Sequence, residues 1–161
     1  MKTNLFLIAG LTATLAACNQ NTAIGNDREA HLDPPAEASP VEPASSALQN
    51  ISTALVKPET MSAADIAAIG GTDGRCVYRL TEVGFPTVVY EPNAQAFVKL
   101  NGKLIPMQAE GTDRFVSDGL LLAMRTLDDE SNAGLQAQEI IIVPPGAEDE
   151  LGYRGYTTCE E

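Results

Sequence analysis

The chain has no tryptophan, a single histidine and three cysteines in 161 residues. Cations are scarce as well: ten Lys and Arg stand against 22 Asp and Glu, for a formal net charge of −12. That balance excludes a nucleic-acid binder, because holding a phosphate backbone takes a basic surface. No run of about 20 apolar residues occurs, which excludes a polytopic helical membrane protein. There is no C-x-x-C pair for dithiol or zinc chemistry. The glycine cluster Gly70-Gly71-Thr72-Asp73-Gly74 lacks the Lys and the following helix of a phosphate loop. We therefore expect no enzyme, no metal and no cofactor.

What is present starts at the N-terminus. Met1 to Asn4 is short and basic, Leu5 to Leu11 is apolar, and Thr12 to Ala17 is built of small residues. That is the layout of a secretory signal, too short to span a bilayer as a stable helix. Leu15-Ala16-Ala17-Cys18 resembles a bacterial lipobox. The resemblance implies a signal peptide over residues 1–17 and acyl chains on Cys18, which becomes the mature N-terminus and the link to the membrane. Two or three chains, at about 0.8 kcal/mol per buried methylene, hold permanently. Asn19 rather than Asp after the cysteine favours the periplasmic face of the outer membrane.

Residues 18–57 are rich in Ala, Pro, Glu and Ser, with no aromatic and few large aliphatics. Such a segment buries too little to offset its ordering entropy, so we expect a flexible tether. His31 falls inside it, which removes the only histidine from any folded site and with it Ser-His-Asp and Cys-His catalysis. The compact domain is expected over 58–161. It opens with a short helix, Ser62 as N-cap, Asp65 three residues on, and Gly70 as the left-handed stop. Ile66 and Ile69 share the face that would dock it.

From Arg75 onward the pattern is short β-rich runs divided by Gly, Pro, Asn and Asp. Strands are expected near Cys76–Thr81, Thr87–Glu91, Ala96–Leu100, Lys103–Met107, Arg114–Ser117, Leu120–Thr126, Glu139–Val143 and Tyr153–Cys159. Asn101-Gly102 calls for a type I′ hairpin, and Asp118-Gly119 marks another tight turn. Pro106 belongs on an edge or a bulge, since it has no N–H for a ladder. The class is mostly β: a small antiparallel β-barrel of about eight strands with one short N-terminal helix. With Cys18 lipidated, Cys76 on the first strand and Cys159 on the last form a disulfide in the oxidising periplasm. Closing that loop should contribute about 4–5 kcal/mol.

Two acidic clusters, Asp128-Asp129-Glu130 and Glu148-Asp149-Glu150, lack the alternate spacing and Gly of a calcium loop and read as solvated loop ends. A carboxylate-based cell-wall hydrolase would need two carboxyls facing across a cleft, and no spacing selects a pair. Most of the aromatics should be core. Alternation along the last strand puts Arg154, Tyr156 and Thr158 on the face opposite Tyr153 and Cys159. An exposed Arg–Tyr patch suits a binding surface.

A lipobox, a tether, Cys76-Val77-Tyr78 opening a barrel, Ala96-Phe97-Val98-Lys99-Leu100-Asn101-Gly102, Arg114-Phe115-Val116-Ser117-Asp118-Gly119 and a last-strand Cys159 together resemble the membrane-bound lysozyme inhibitors of the c-type. The chain is also similar to uncharacterised alphaproteobacterial lipoproteins. The inhibitor resemblance implies an eight-stranded antiparallel barrel that inserts a loop into the acidic cleft of c-type lysozyme. Where that family has Ser-Gly, this chain has Gly111-Thr112, which shifts the inserting hydroxyl to Thr112. Arg125 is the nearest counterpart of the family's basic residue. The expected function is thus a lipid-anchored periplasmic binding protein, its partner a c-type lysozyme met by the Gly111–Asp118 loop with Thr112, Arg114, Ser117 and Arg125. The alternative is an envelope-assembly lipoprotein that meets another protein through Arg154 and Tyr156.

Overall fold

The structure is a computed structural model that describes residues 36–159. The signal segment, Cys18 and His31 lie outside the described residues. Eight strands follow one another in order and close into an antiparallel barrel: β1 (Cys76–Arg79), β2 (Val88–Glu91), β3 (Gln95–Leu100), β4 (Lys103–Ala109), β5 (Arg114–Ser117), β6 (Leu120–Glu130), β7 (Gln136–Val143) and β8 (Leu151–Cys159). Every expected strand is there, and β4, β6 and β7 run longer than their apolar cores suggest. Asn101 and Gly102 both take positive φ (47° and 75°), as do Asp118 and Gly119 (45° and 85°), the geometry a two-residue I′ hairpin requires.

Alternation sorts the side chains. Tyr78, Val88, Val98, Ile105, Met107, Phe115, Leu122, Ile140 and Ile142 point inward and fill the barrel. Gly155 makes room for this packing, because a Cβ there would sit 2.6 Å from the Tyr78 ring and 2.2 Å from the Arg79 carbonyl oxygen. The buried Tyr78 hydroxyl donates to the Tyr153 carbonyl at 2.7 Å. β1 and β8 pair with Cys76 directly opposite Cys159, and a disulfide joins them across the seam where the barrel closes.

A helix, α1 (Ala44–Ala47), and a 3-10 turn (Thr53–Leu55) precede α2 (Ala63–Ala68), so the barrel carries more than the one expected helix. The tether reading of 18–57 is corrected here for residues 36–57. Ala44, Ala47, Leu48 and Val56 are buried and join the core inside the barrel. Small Ala side chains let a single helical turn enter where larger ones would collide, so a segment with little apolar mass still finds burial. Backbone hydrogen bonds complete the docking. Leu104 N–H donates to Pro40 O (2.9 Å) and Glu42 N–H to Leu104 O (3.0 Å), a parallel bridge along β4. The next donor along that edge would belong to Pro106, which has none, so the ladder stops and the chain turns into α1. On the other flank of the same hairpin, Glu59 N–H donates to Lys99 O at 2.9 Å and Asn101 N–H to Lys57 O at 3.3 Å. The arm thus clasps the β3–β4 hairpin from both sides.

α2 has the expected ends. Ser62 and Asp65 form a reciprocal capping box. Gly71 N–H donates to Ile66 O and Gly70 N–H to Ala67 O, a Schellman stop with Gly70 at φ 89°. Arg75 donates to Ile69 O at 2.8 Å. Ile66, Ile69 and Met61 pack on the outer residues Val77, Val89, Phe97 and Leu104 and cover the barrel wall on its β1–β4 side.

Asp65 is the hub of this arrangement. Fully buried, it accepts from Ser39 N–H at 2.6 Å, Ser62 N–H at 2.7 Å and Lys99 Nζ at 2.7 Å, tying arm, helix and barrel together. Burial by itself would raise its carboxyl. The Lys99 ammonium and the two backbone donors outweigh that and hold it well below the usual carboxylate range.

Candidate functional site

An antiparallel barrel with in-order strands sorts its connections to two ends. One end carries the β2–β3, β4–β5 and β6–β7 connections. The other carries the β3–β4 and β5–β6 hairpins, the β1–β2 and β7–β8 loops, and the docked arm. The interior between them is closed by side chains. Its polar members, Gln138 and Thr157, hydrogen-bond each other beside Tyr90, whose phenol burial pushes up.

The sequence-predicted contact loop is divided by this geometry. Only residues 110–113 form a loop; Arg114–Ser117 is strand β5. Thr112 and Arg114 lie at the first end and are exposed. Thr112 Oγ1 donates to Asn93 Oδ1 of the β2–β3 turn at 3.2 Å, and Arg114 Nε donates to Glu110 at 2.7 Å. The loop is closed by Glu110 N–H on Arg114 O (2.8 Å) and anchored by Met124 N–H on Asp113 O (2.8 Å). Ser117 stands about 10 Å further along the strand, at the opposite end. There the neighbouring Asp118 accepts from Ser45 Oγ of the arm at 2.7 Å. The expectation that Ser117 belongs to one contact loop with Thr112 and Arg114 is thus corrected: Arg114 and Ser117 are the two ends of a four-residue strand.

Three other predicted residues are brought together. Register places Arg125 opposite Glu139 and Glu139 opposite Arg154, one row across β6, β7 and β8. Arg125 pairs with Glu139, and Arg154 reaches Asp129 at 2.8 Å. Gly152 leaves space for the Glu139 carboxylate, whose Oε1 would be 2.8 Å from a Cβ there. Tyr156 stands one pleat further along the same outer face, with Ala137 on one side and Arg79 on the other. The alternation predicted for β8 holds: Tyr153 packs against the core, and Arg154 and Tyr156 face out. The arm and α2 cover the β1–β4 wall and leave this β6–β8 face open.

The acidic clusters do not converge on a cavity. Asp128, Asp129 and Glu130 line the exposed extension of β6, and Glu148, Asp149 and Glu150 occupy the β7–β8 loop. Among the described residues no three His, Cys, Asp or Glu come together as metal ligands would. Glu42, like Asp65, is held below the usual carboxylate range, in its case by hydrogen bonds from Lys103 and Ser46.

Sequence reasoning missed Arg79 and Phe85. Arg79 falls inside the expected strand Cys76–Thr81, whereas β1 ends at it, and Phe85 is 58% exposed although most aromatics are expected in the core. The Gly84-Phe85-Pro86 order is the available signal, since Gly and Pro on either side of a residue mark a loop.

Residues 14–161 match the model of a protein family described as a domain of unknown function, DUF6692. No curated protein and no solved structure matches the chain.

Proposed function

The chain belongs to the DUF6692 family, and from that premise we propose that it is a lipid-anchored, non-enzymatic binding module of the bacterial envelope, of lysozyme-inhibitor type. The observation that carries the reading is a closed barrel filled by its own side chains, so that binding uses the outer surface. The contact is the exposed loop 110–113 with Thr112 and Arg114, braced against Asn93. A net charge of −12 draws a basic lysozyme and speeds the encounter. Cys18 supplies the acyl anchor, and the periplasmic face of the outer membrane is the location.

The test is inhibition of a c-type lysozyme by the oxidised mature chain carrying Cys18→Ser, at low and moderate salt. Inhibition that weakens with salt and is relieved by Thr112→Ala supports the reading. Its absence at micromolar protein, with the disulfide intact, overturns it.

A second reading rests on the Arg125–Glu139–Arg154 row with Tyr156, which the arm and helix leave uncovered. That face would serve an envelope-assembly partner. Site-specific crosslinking from Tyr156 in the lipidated protein tests it: capture of one envelope protein, lost with Arg154→Ala, is the expected result, and no adduct overturns it.

A further inference from the structure

An open groove of about 320 Å³ lies between α2 and the β1–β2 loop, lined chiefly by Ile66, Arg79, Val83, Phe85 and Pro86. Two observations make it more than a surface dent. The first is apolar exposure: Val83 is 96% and Phe85 58% exposed, two of the four large hydrophobics left in solvent among the described residues. They sit on one short loop whose base is held, with Thr87 N–H on Tyr78 O (2.8 Å) and Met61 N–H on Pro86 O (2.7 Å). The groove is therefore present before anything binds.

The second observation is charge. Each other basic side chain among the described residues either meets a carboxylate, as Lys57, Lys99, Lys103, Arg114, Arg125 and Arg154 do, or caps a helix, as Arg75 does. Arg79 does neither. It spends one N–H on Thr158 Oγ1 at 2.8 Å and keeps the rest of its fork for the groove. Beside these apolar walls, a guanidinium that meets no carboxylate among the described residues is an unfilled position for one. Bidentate donation matches a carboxylate or a phosphate, and the apolar walls favour a carboxylate borne next to an apolar side chain.

We infer that this groove binds the C-terminal residue of a partner polypeptide, its apolar side chain against Ile66, Val83 and Phe85 and its α-carboxylate on Arg79. A C-terminal residue carries both features on one carbon, which fits so short a groove. A long acyl chain would leave most of its methylenes in water on a surface this open. The site lies at the opposite end of the barrel from loop 110–113 and does not depend on the lysozyme reading.

The oxidised mature chain with Cys18→Ser is titrated with N-acetyl-Ala-Ala-Leu as free acid, with its carboxamide, and with dodecanoate, following backbone amide shifts. The acid should saturate with shifts centred on Gly84 and Phe85, and the carboxamide should bind at least about tenfold more weakly. Arg79→Gln should erase the difference between acid and amide, and Phe85→Ser should weaken both while leaving the rest of the spectrum unchanged. Equal binding of acid and amide, shifts elsewhere, no saturation at millimolar peptide, or tighter binding of dodecanoate would each overturn the inference.

Discussion

Replacing Asp65 by Asn tests the joint that holds arm, helix and barrel together. The side chain keeps its shape and an acceptor oxygen but loses the charge that faces Lys99 Nζ at 2.7 Å. The Lys99 side chain is 13% exposed, so its ammonium would be left nearly buried and unpaired. Orphaning one partner of a buried pair costs about 3–5 kcal/mol. The Asn oxygen still accepts a hydrogen bond and the ammonium retains a little water, so about 2–3 kcal/mol is expected. At roughly 4 °C per kcal/mol for a domain of this size, Tm should fall by about 10 °C. Urea and thermal unfolding of the oxidised chain at pH 7 measure it. Lys99→Met in the Asp65→Asn background removes the stranded charge and should recover at least half of the loss. A cost below about 0.5 kcal/mol, or a double variant no better than the single, would refute the reasoning. The pH dependence has a definite sign. Because the folded carboxyl lies below its unfolded value, its stabilisation is complete above about pH 4 and is lost as pH falls through the lower folded value. Wild type should therefore lose stability more steeply than Asp65→Asn below about pH 4.

Reducing the Cys76–Cys159 disulfide, which spans a sequence separation of 83, should lower stability by about 4–5 kcal/mol, read as a shift in the urea midpoint. Starting the chain at residue 58 instead of 36 strips Leu48 and Val56 from the core; the loss should be about 3–6 kcal/mol, and a truncated domain as stable as the longer one would refute the docking of the arm. Gly155→Ala should cost about 1–3 kcal/mol or more, because the added methyl meets backbone as well as the Tyr78 ring; near-UV circular dichroism of the tyrosines would register the displaced ring.

Much of this architecture is local and was legible in the residues. Asn101-Gly102 and Asp118-Gly119 set two hairpins by backbone sterics alone, Ser62 and Asp65 set the start of α2, and Gly70 set its end. The candidate surface was legible in part. Alternation put Arg154 and Tyr156 on one face of β8, but nothing along the chain says that Arg125, 29 positions from Arg154 in the numbering, stands in the same row; the shared neighbour Glu139 makes it so. The arm was illegible for a different reason. Its apolar residues are few and small, and only a barrel end shaped to receive Ala44 and Ala47 makes their burial worthwhile.

The division follows from the range of the forces. Turn geometry, capping and strand alternation act over a few residues, so composition and order determined eight strands, two tight turns, one capped helix and which cysteines stand at the two ends of the barrel segment. Closure is a long-range event. It decided that β8 returns to β1, that Thr112 and Ser117 part to opposite ends of the barrel, and that Ala44, Ala47, Leu48 and Val56 of the arm leave solvent. Packing of α2 on the barrel also sets Ile66 beside Arg79 and Phe85, where among the described residues no carboxylate meets the guanidinium.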